Sequence, residues 1–304
     1  MTRILWTQKQ DAGPSARQYP AMAYDSSRGR TVLFGGLASG DVRSGLNDTW
    51  EWDGWNWTQV ADTGPPVRGG AAMAYDVQRN QTVLFSGVGS DGHFKGDTWG
   101  WDGRNWRRLA DSGASPRINF AMAYDSKRQR IVLFGGQHVV GHVAADTWLW
   151  DGAAWSQAPV TGPSARTNYA MAYDSTRDRT VLFGGNDETT DAVLGDTWEW
   201  NGSEWTKVSN FGATPCGLAA LAFKGDNVAL FGGRSGTSSH PGVTYGTTWT
   251  WDGRDWTLRQ DFGPSPRYGP IMCYDSKRGT LVLYGGVSGT GVFLTDTWEH
   301  SEGP

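Results

Sequence analysis

The sequence is poor in the residues that usually announce chemistry or a cellular address. Only two cysteines occur in 304 residues, Cys216 and Cys273. They fall at non-equivalent places, so a disulfide framework has nothing to build on, and both are expected as reduced thiols. No run of about 18 consecutive apolar residues occurs, which leaves no candidate membrane-spanning helix. The opening MTRILWTQKQDAG has no apolar stretch long enough for a secretory leader, so a cytoplasmic protein with no membrane partner is expected. A basic surplus is missing as well: 27 Lys and Arg against 31 Asp and Glu give a net charge of -4. Such a chain has no positive field to displace counterions from a phosphate backbone, and nucleic acid is not an expected partner. No glycine-rich loop opens a helix, and no serine nucleophile with a placed base can be read. Helical periodicity is absent throughout.

What the chain has in quantity is glycine, 43 residues, and tryptophan, 18 residues. Both belong to a near-copy that returns about every fifty residues, anchored by Gly35-Gly36, Gly135-Gly136, Gly184-Gly185, Gly232-Gly233 and Gly285-Gly286, with Ser86-Gly87 as the variant copy. Each unit runs approximately PSAR, AMAYDSxRxR, TVLFGG, a variable stretch, then DTWEWDGxxW and a polar tail. AMAY and TVLF are short runs of β-formers around a turn-forming DSxRxR, which predicts a hairpin. In DTWEWDGxxW the alternation of Trp50 and Trp52, followed by an Asp-Gly turn and Trp57, predicts a strand, a tight reversal and a returning strand. Four antiparallel strands cannot cover both of their faces alone, whereas radial packing of several such sheets does. The expected fold is therefore all-β: a six-bladed β-propeller of four-stranded antiparallel blades forming one domain over residues 1–304. The strand containing Ala21 and Ala23 should be innermost, with Trp and Phe in the widening space between blades.

The two ends carry matching evidence for closure. Residues 6–14 read WTQKQDAGP and residues 57–65 read WTQVADTGP, so the N-terminus supplies an outermost strand. The expectation is that Ile4 to Gln8 pairs with the strand around Thr297 to Glu299 and completes the last blade.

The Gly pair after an apolar strand and the Asp-Thr-Trp with a following Trp resemble the kelch repeat over essentially the whole chain. One departure is Trp52, Trp101, Trp150, Trp200 and Trp251 where the family more usually has Tyr. The resemblance implies a propeller of the kelch and galactose oxidase-like type, with peptide-binding or catalytic groups on the face where the post-Gly loops and the PSAR crossings open onto the channel. It does not extend to two known chemistries. A galactose oxidase-like centre needs a Tyr cross-linked to a Cys, whereas Cys273 and Tyr274 are neighbours on a strand and point to opposite faces. A nitrile-specifier-like site needs Glu, Asp and His at four-residue intervals, whereas Glu188 and Asp191 are three apart with no His after them.

Comparison among the repeats separates scaffold from variation. The Arg ending PSAR recurs as Arg17, Arg68, Arg117, Arg166 and Arg267, and the Asp opening DTW as Asp48, Asp97, Asp146, Asp196 and Asp296. The fifth repeat loses both, to Cys216 and Thr247, as a buried ion pair would require. Just after the Arg the copies diverge, and these positions read as free to differ. Bulky and amide-bearing groups gather on blades one, three and four, predicting a lopsided mouth with a hollow beside Asn119, Phe120, Asn168 and Tyr169.

Two functional readings follow. In the first the chain is a ligand-binding or interaction module for a small polar molecule or a peptide, expected to be monomeric, with Tyr19, Arg43, Asn119, Phe120, Asn168, Tyr169, Tyr245 and Tyr268 supplying stacking and hydrogen bonds. No cofactor is expected there. The alternative is a small-molecule enzyme near blades two to four, with His93, His138, His142 and Glu188 at its centre, either assisted by a transition metal on the histidines or using general acid-base groups. Beside these two stands a purely structural ring with no ligand. Trp55 reads as a lone exposed aromatic. Arg28, Arg30, Arg128, Arg130, Arg177 and Arg179 read as solvated turn charges.

Overall fold

The computed structural model describes residues 4–10, 12–139, 141–237, 240, 242–260 and 263–302. Apart from a single 3-10 turn at Val42–Ser44, the regular structure of these residues is all strand. No described helix is long and apolar enough to cross a membrane. Six antiparallel four-stranded sheets form, five of them each built from one repeat and the sixth from the last repeat together with the N-terminal strand. In blade one the order is Ala21–Asp25, Arg30–Leu37, Gly45–Trp52 and Trp57–Ala61, from the centre outward. The inner strands Ala21–Asp25, Ala72–Asp76, Ala121–Asp125, Ala170–Asp174, Ala220–Phe223 and Ile271–Asp275 each contact the next, and the last contacts the first. A six-bladed β-propeller results. Small Ala21 and Ala23 are buried where the inner strands crowd together, against Met73 and Tyr75 of the next blade.

Closure follows the predicted pairing. Ile4–Gln10 is the outer strand of the last blade, with Trp6 opposite His300, Thr7 opposite Glu299 and Gln8 opposite Trp298. Side chains then tie this strand into a ring of identical contacts. Each outer-strand tryptophan donates its indole N–H to the threonine of the preceding blade's DTW: Trp57 to Thr297 (2.8 Å), Trp106 to Thr49 (2.8 Å), Trp155 to Thr98 (2.9 Å), Trp205 to Thr147 (2.9 Å) and Trp256 to Thr197 (2.8 Å). Trp6 completes the set by bonding Thr248 at 2.9 Å. Buried indoles need such a partner. Trp101, Trp52 and Trp251 find theirs on the carboxylates of Glu51, Glu299 and Glu199, each on the preceding blade. Trp150 lacks a partner for its buried Nε1, because Gly100 stands in blade two where those glutamates stand.

The opposite face corrects one expectation. Arg28, Arg128 and Arg177 are not solvated turn charges: they form ion pairs with Asp25, Asp125 and Asp174, which are 1–2% exposed, and Arg28 and Arg177 also bridge to Glu51 and Glu199. Each buried Asp also caps the hairpin by accepting the backbone N–H of the same Arg at 3.0 Å. The guanidinium then lies across the Asp-Gly or, in blade four, Asn201-Gly202 turn of the following blade. A Cβ on Gly103 would lie 2.5 Å from Arg28 Nε, and one on Gly202 would lie 1.9 Å from Arg128 Nε. These glycines are required twice over, by the clasp and by a φ near +100° (94° and 102°) that other residues rarely adopt.

Trp6 therefore carries more than its share of ring closure. It stacks on Phe231 and His300 with centroids 5.4 and 5.6 Å apart. Trp6→Ala should destabilise the protein by about 3–5 kcal/mol. Hydrogen exchange should show the loss of protection starting in residues 4–10 and 297–302; protection lost equally in all blades would show that the seam is no weaker than the rest.

Candidate functional site

The conserved-looking charges on the loop face are structural. Arg17, Arg68, Arg117, Arg166 and Arg267 are at most 1% exposed. Each forks onto the Asp of its own blade, as in Arg17 to Asp48 at 2.7 and 2.8 Å or Arg117 to Asp146 at 2.8 and 3.0 Å. The remaining donors are met nearby: Arg117 Nε reaches the Ser115 carbonyl, Nη1 the Gly135 carbonyl and Nη2 the Ser115 hydroxyl. The same Asp accepts an indole N–H two residues on, Trp148 to Asp146 at 2.6 Å. Burial opposes ionisation of these carboxyls, yet the Arg fork, its charge and the indole outweigh it and hold Asp48, Asp97, Asp146, Asp196 and Asp296 below the ordinary carboxylate range. In blade five Cys216 is buried and its thiol is pushed up to about 12 by burial alone, while Thr247 still accepts the indole of Trp249. Burial pushes the Cys273 thiol to about 12 as well. Both cysteines are free, and neither is an ionised nucleophile at neutral pH.

Once pinned by its Arg, each crossing turns inward. The residue after the Arg pairs with the residue after the Gly pair, giving Gln18–Leu37, Gly69–Val88, Ile118–Gln137, Thr167–Asn186, Gly217–Arg234 and Tyr268–Val287. The next residue is left-handed in every blade: Tyr19, Gly70, Asn119, Asn168, Leu218 and Gly269 have φ between 52° and 69°. Backbone bonds link these residues around the axis, Gly70 to Tyr19, Asn168 to Asn119, Leu218 to Asn168 and Gly269 to Leu218, at 2.7–3.0 Å. These positions are thus not free to differ. Gly and Asn tolerate this backbone conformation, whereas Tyr19 and Leu218 adopt it at a cost of about 1 kcal/mol or more each.

The collar encloses a cavity of about 150 Å³ on the axis, lined by residues of all six blades. Asn119, Phe120, Asn168, Tyr169 and Tyr19 line it, so the predicted hollow lies on the axis rather than to one side. The Asn119 amide makes no hydrogen bond to protein among the described residues, and Asn168 makes one long contact to Thr167 at 3.4 Å. Tyr169 presents only ring: its hydroxyl donates to the Phe134 carbonyl and accepts from Ala121 N. Phe120 stacks edge-on against Phe85. Tyr268 stands on the rim, with the Arg234 guanidinium 4.7 Å from its ring centroid. Tyr245 packs against the buried cluster of Cys216 and Trp251. Arg43 is an exposed loop residue paired with Asp41. Trp55 is 74% exposed on the opposite face, under Lys9.

The histidine set does not assemble. His138 and His142 lie near the tip of a long hairpin in blade three with ring centroids 6.3 Å apart. His93 is exposed, and Glu188 accepts a hydrogen bond from Thr167 at 2.7 Å. His240, which no reading used, meets Asp191 at 2.8 Å. Among the described residues no group of three or more His, Cys, Asp or Glu is placed to hold a metal ion. Arg234 was the residue that sequence reasoning missed; its signal was a single charged residue directly after a Gly pair.

No protein-family model matches the chain, and no curated protein does. Among solved structures it is similar to that of YjhT, with a TM-score of 0.75 and 14% identity, over 94% of this chain and 95% of that one. What the two share is the fold. At this identity the likeness carries no function across.

Two outcomes test this description. Arg117→Cys should cost about 3–5 kcal/mol by leaving Asp146 buried and unpaired, and adding Asp146→Thr should recover part of that loss. The carboxyl pKa values are depressed on folding, so their stabilisation is complete above about pH 4 and is lost as pH falls through the folded values. Chemical denaturation from pH 7 to 2 should show the double variant losing less than the native chain. At the collar, Leu218→Gly should raise stability by about 1 kcal/mol, and an unchanged midpoint would remove the claim of strain.

Proposed function

We propose that the chain is a kelch-type propeller acting as a ligand-binding module, with its ligand at the channel mouth. The observation that carries this reading is the placement of bulky side chains, Tyr19 and Leu218, in a left-handed conformation around an axial cavity. Glycine or asparagine serves the other four blades at that position, so the fold itself does not demand these side chains. The Asn119 amide, without a protein partner among the described residues, and the nearby Asn168 amide add orienting polar groups to a wall otherwise made of aromatic rings, Pro, Ala, Gly, Leu and Ile.

Cavity size narrows the ligand. A volume of about 150 Å³ suits a benzene-sized group and falls below the roughly 300–1,000 Å³ of sites that engulf a whole small molecule. The cavity therefore takes one end of a small polar ligand or one side chain of a peptide, and the rim holds the rest.

The test keeps the backbone intact. Asn119→Gly with Asn168→Gly removes both amides while preserving residues that accept positive φ. A fragment library screened by ligand-observed NMR should give binders to the native chain that lose about tenfold or more in affinity on this variant. Binders that persist unchanged would move the site away from the mouth.

A further inference from the structure

Twelve residues form the six rim pairs, and Arg234 is the only charged one among them. Its five counterparts are Leu37, Val88, Gln137, Asn186 and Val287. Unlike the fork arginines, Arg234 has no structural employment for its guanidinium. Its Nε is buried without a hydrogen-bond partner, and among the described residues no carboxylate pairs with it. The group is held in place by the face of Tyr268, 4.7 Å away, an arrangement that orients a guanidinium without neutralising it. Tyr19 lies within its field. Burial, reinforced by Tyr268 and opposed by the Arg234 charge, raises the Tyr19 phenol above its ordinary value, so its hydroxyl stays a neutral hydrogen-bond donor at pH 7.

We propose that Arg234, Tyr268 and Tyr19 form an anion subsite that takes the carboxylate of a small-molecule ligand whose other end enters the axial cavity. This rests on the mouth reading above. A single planar guanidinium flanked by phenol hydroxyls matches one carboxylate; a phosphate dianion would call for a second cation. In the neighbouring loops Asp41 and Asp91 are paired with Arg43 and Lys95, while Asp187, Glu188 and Asp191 leave a negative excess that disfavours a peptide bearing several acidic groups. Leaving a buried guanidinium N–H unmet costs about 1–3 kcal/mol, which a bound anion offsets by drawing the group into a charge-assisted hydrogen bond.

The probes are benzoate, salicylate, glucuronate and N-acetylaspartate, each compared with its uncharged amide or methyl ester by ligand-observed NMR. At least one acid should bind the native chain more tightly than its uncharged partner and lose about tenfold on Arg234→Gln, with an intermediate loss on Arg234→Lys. The uncharged partners should be indifferent to Arg234→Gln, and both series should weaken on the Asn119→Gly, Asn168→Gly variant. Acid binding that survives Arg234→Gln overturns the subsite while leaving the mouth in place. Binding untouched by the double asparagine variant overturns the mouth itself, and failure of every acid at concentrations up to about 10 mM, where even a weak contact registers, overturns the proposal outright. Melting temperatures and amide spectra of each variant separate these results from misfolding.

Discussion

In five of the six blades a buried arginine pins the crossing that leads into the blade onto that blade's own Asp, and the geometry of the mouth depends on it. The crossing from one blade's outer strand to the next inner strand has few sheet partners of its own, so its carbonyls need donors from elsewhere. Arg117 supplies them, bonding Ser115 O and Gly135 O with one guanidinium while forking onto Asp146. The Asp is itself fixed by the Trp148 indole. A charge this deep is tolerated only because every donor is met. Since the crossing is pinned at the Arg, the residue two positions on, Asn119 in this blade, is delivered to the axis with its left-handed backbone already set.

Exceptions to the pattern occur in matched sets, which is what a network of shared partners requires. Blade five loses Arg and Asp together, and Cys216 fills the vacated volume as a neutral, buried thiol. Its hairpin also lacks the clasping Arg: Lys224-Gly225-Asp226-Asn227 stands where the other blades have Asp-Ser-x-Arg or a close variant. The blade that such an Arg would clasp is the sixth, whose outer strand comes from the N-terminus rather than through an Asp-Gly turn. Ser86, the one departure from the Gly pair, keeps the left-handed φ of 62° and turns its hydroxyl onto Arg117 O and N, at 2.8 and 2.6 Å. In these three cases a loss at one contact is accompanied by a change at its partner; the Gly100–Trp150 contact is not matched in this way.

What could be read from the residues was whatever repeats along the chain. Strand count, closure by residues 4–8 and the Arg–Asp pairing all leave a mark in several registers at once, so they are legible in the sequence alone. Contacts that join one blade's turn to another's left no local pattern. Arg28 beside Asp25 and Ser26 looks like any turn charge, and only its passage over Gly103 in the next blade reveals a clasp. The collar was half legible: Gly70, Asn119, Asn168 and Gly269 are the residues that favour positive φ, and Tyr19 and Leu218 masked the signal. Directions of individual hydroxyls were out of reach, and Tyr169, which reads as a ligand contact, spends its hydroxyl inside the scaffold.

The contrast between face and frame is the strongest argument for where function lies. Six copies of one unit serve as internal controls for each other: the outer-strand indoles all bond the preceding blade's threonine, and the fork arginines all bond their Asp where both are present. Trp150 shows how the frame behaves when it does fail: one partner is missing, Gly100 for Glu, and the cost is a single orphaned N–H inside an apolar wall. At the mouth the departures are of another kind. Strain at Tyr19 and Leu218, an idle amide at Asn119 and an unneutralised guanidinium at Arg234 all add groups able to hold a ligand, and none relieves a packing problem. These departures gather around one opening, and the proposed ligand site rests on them.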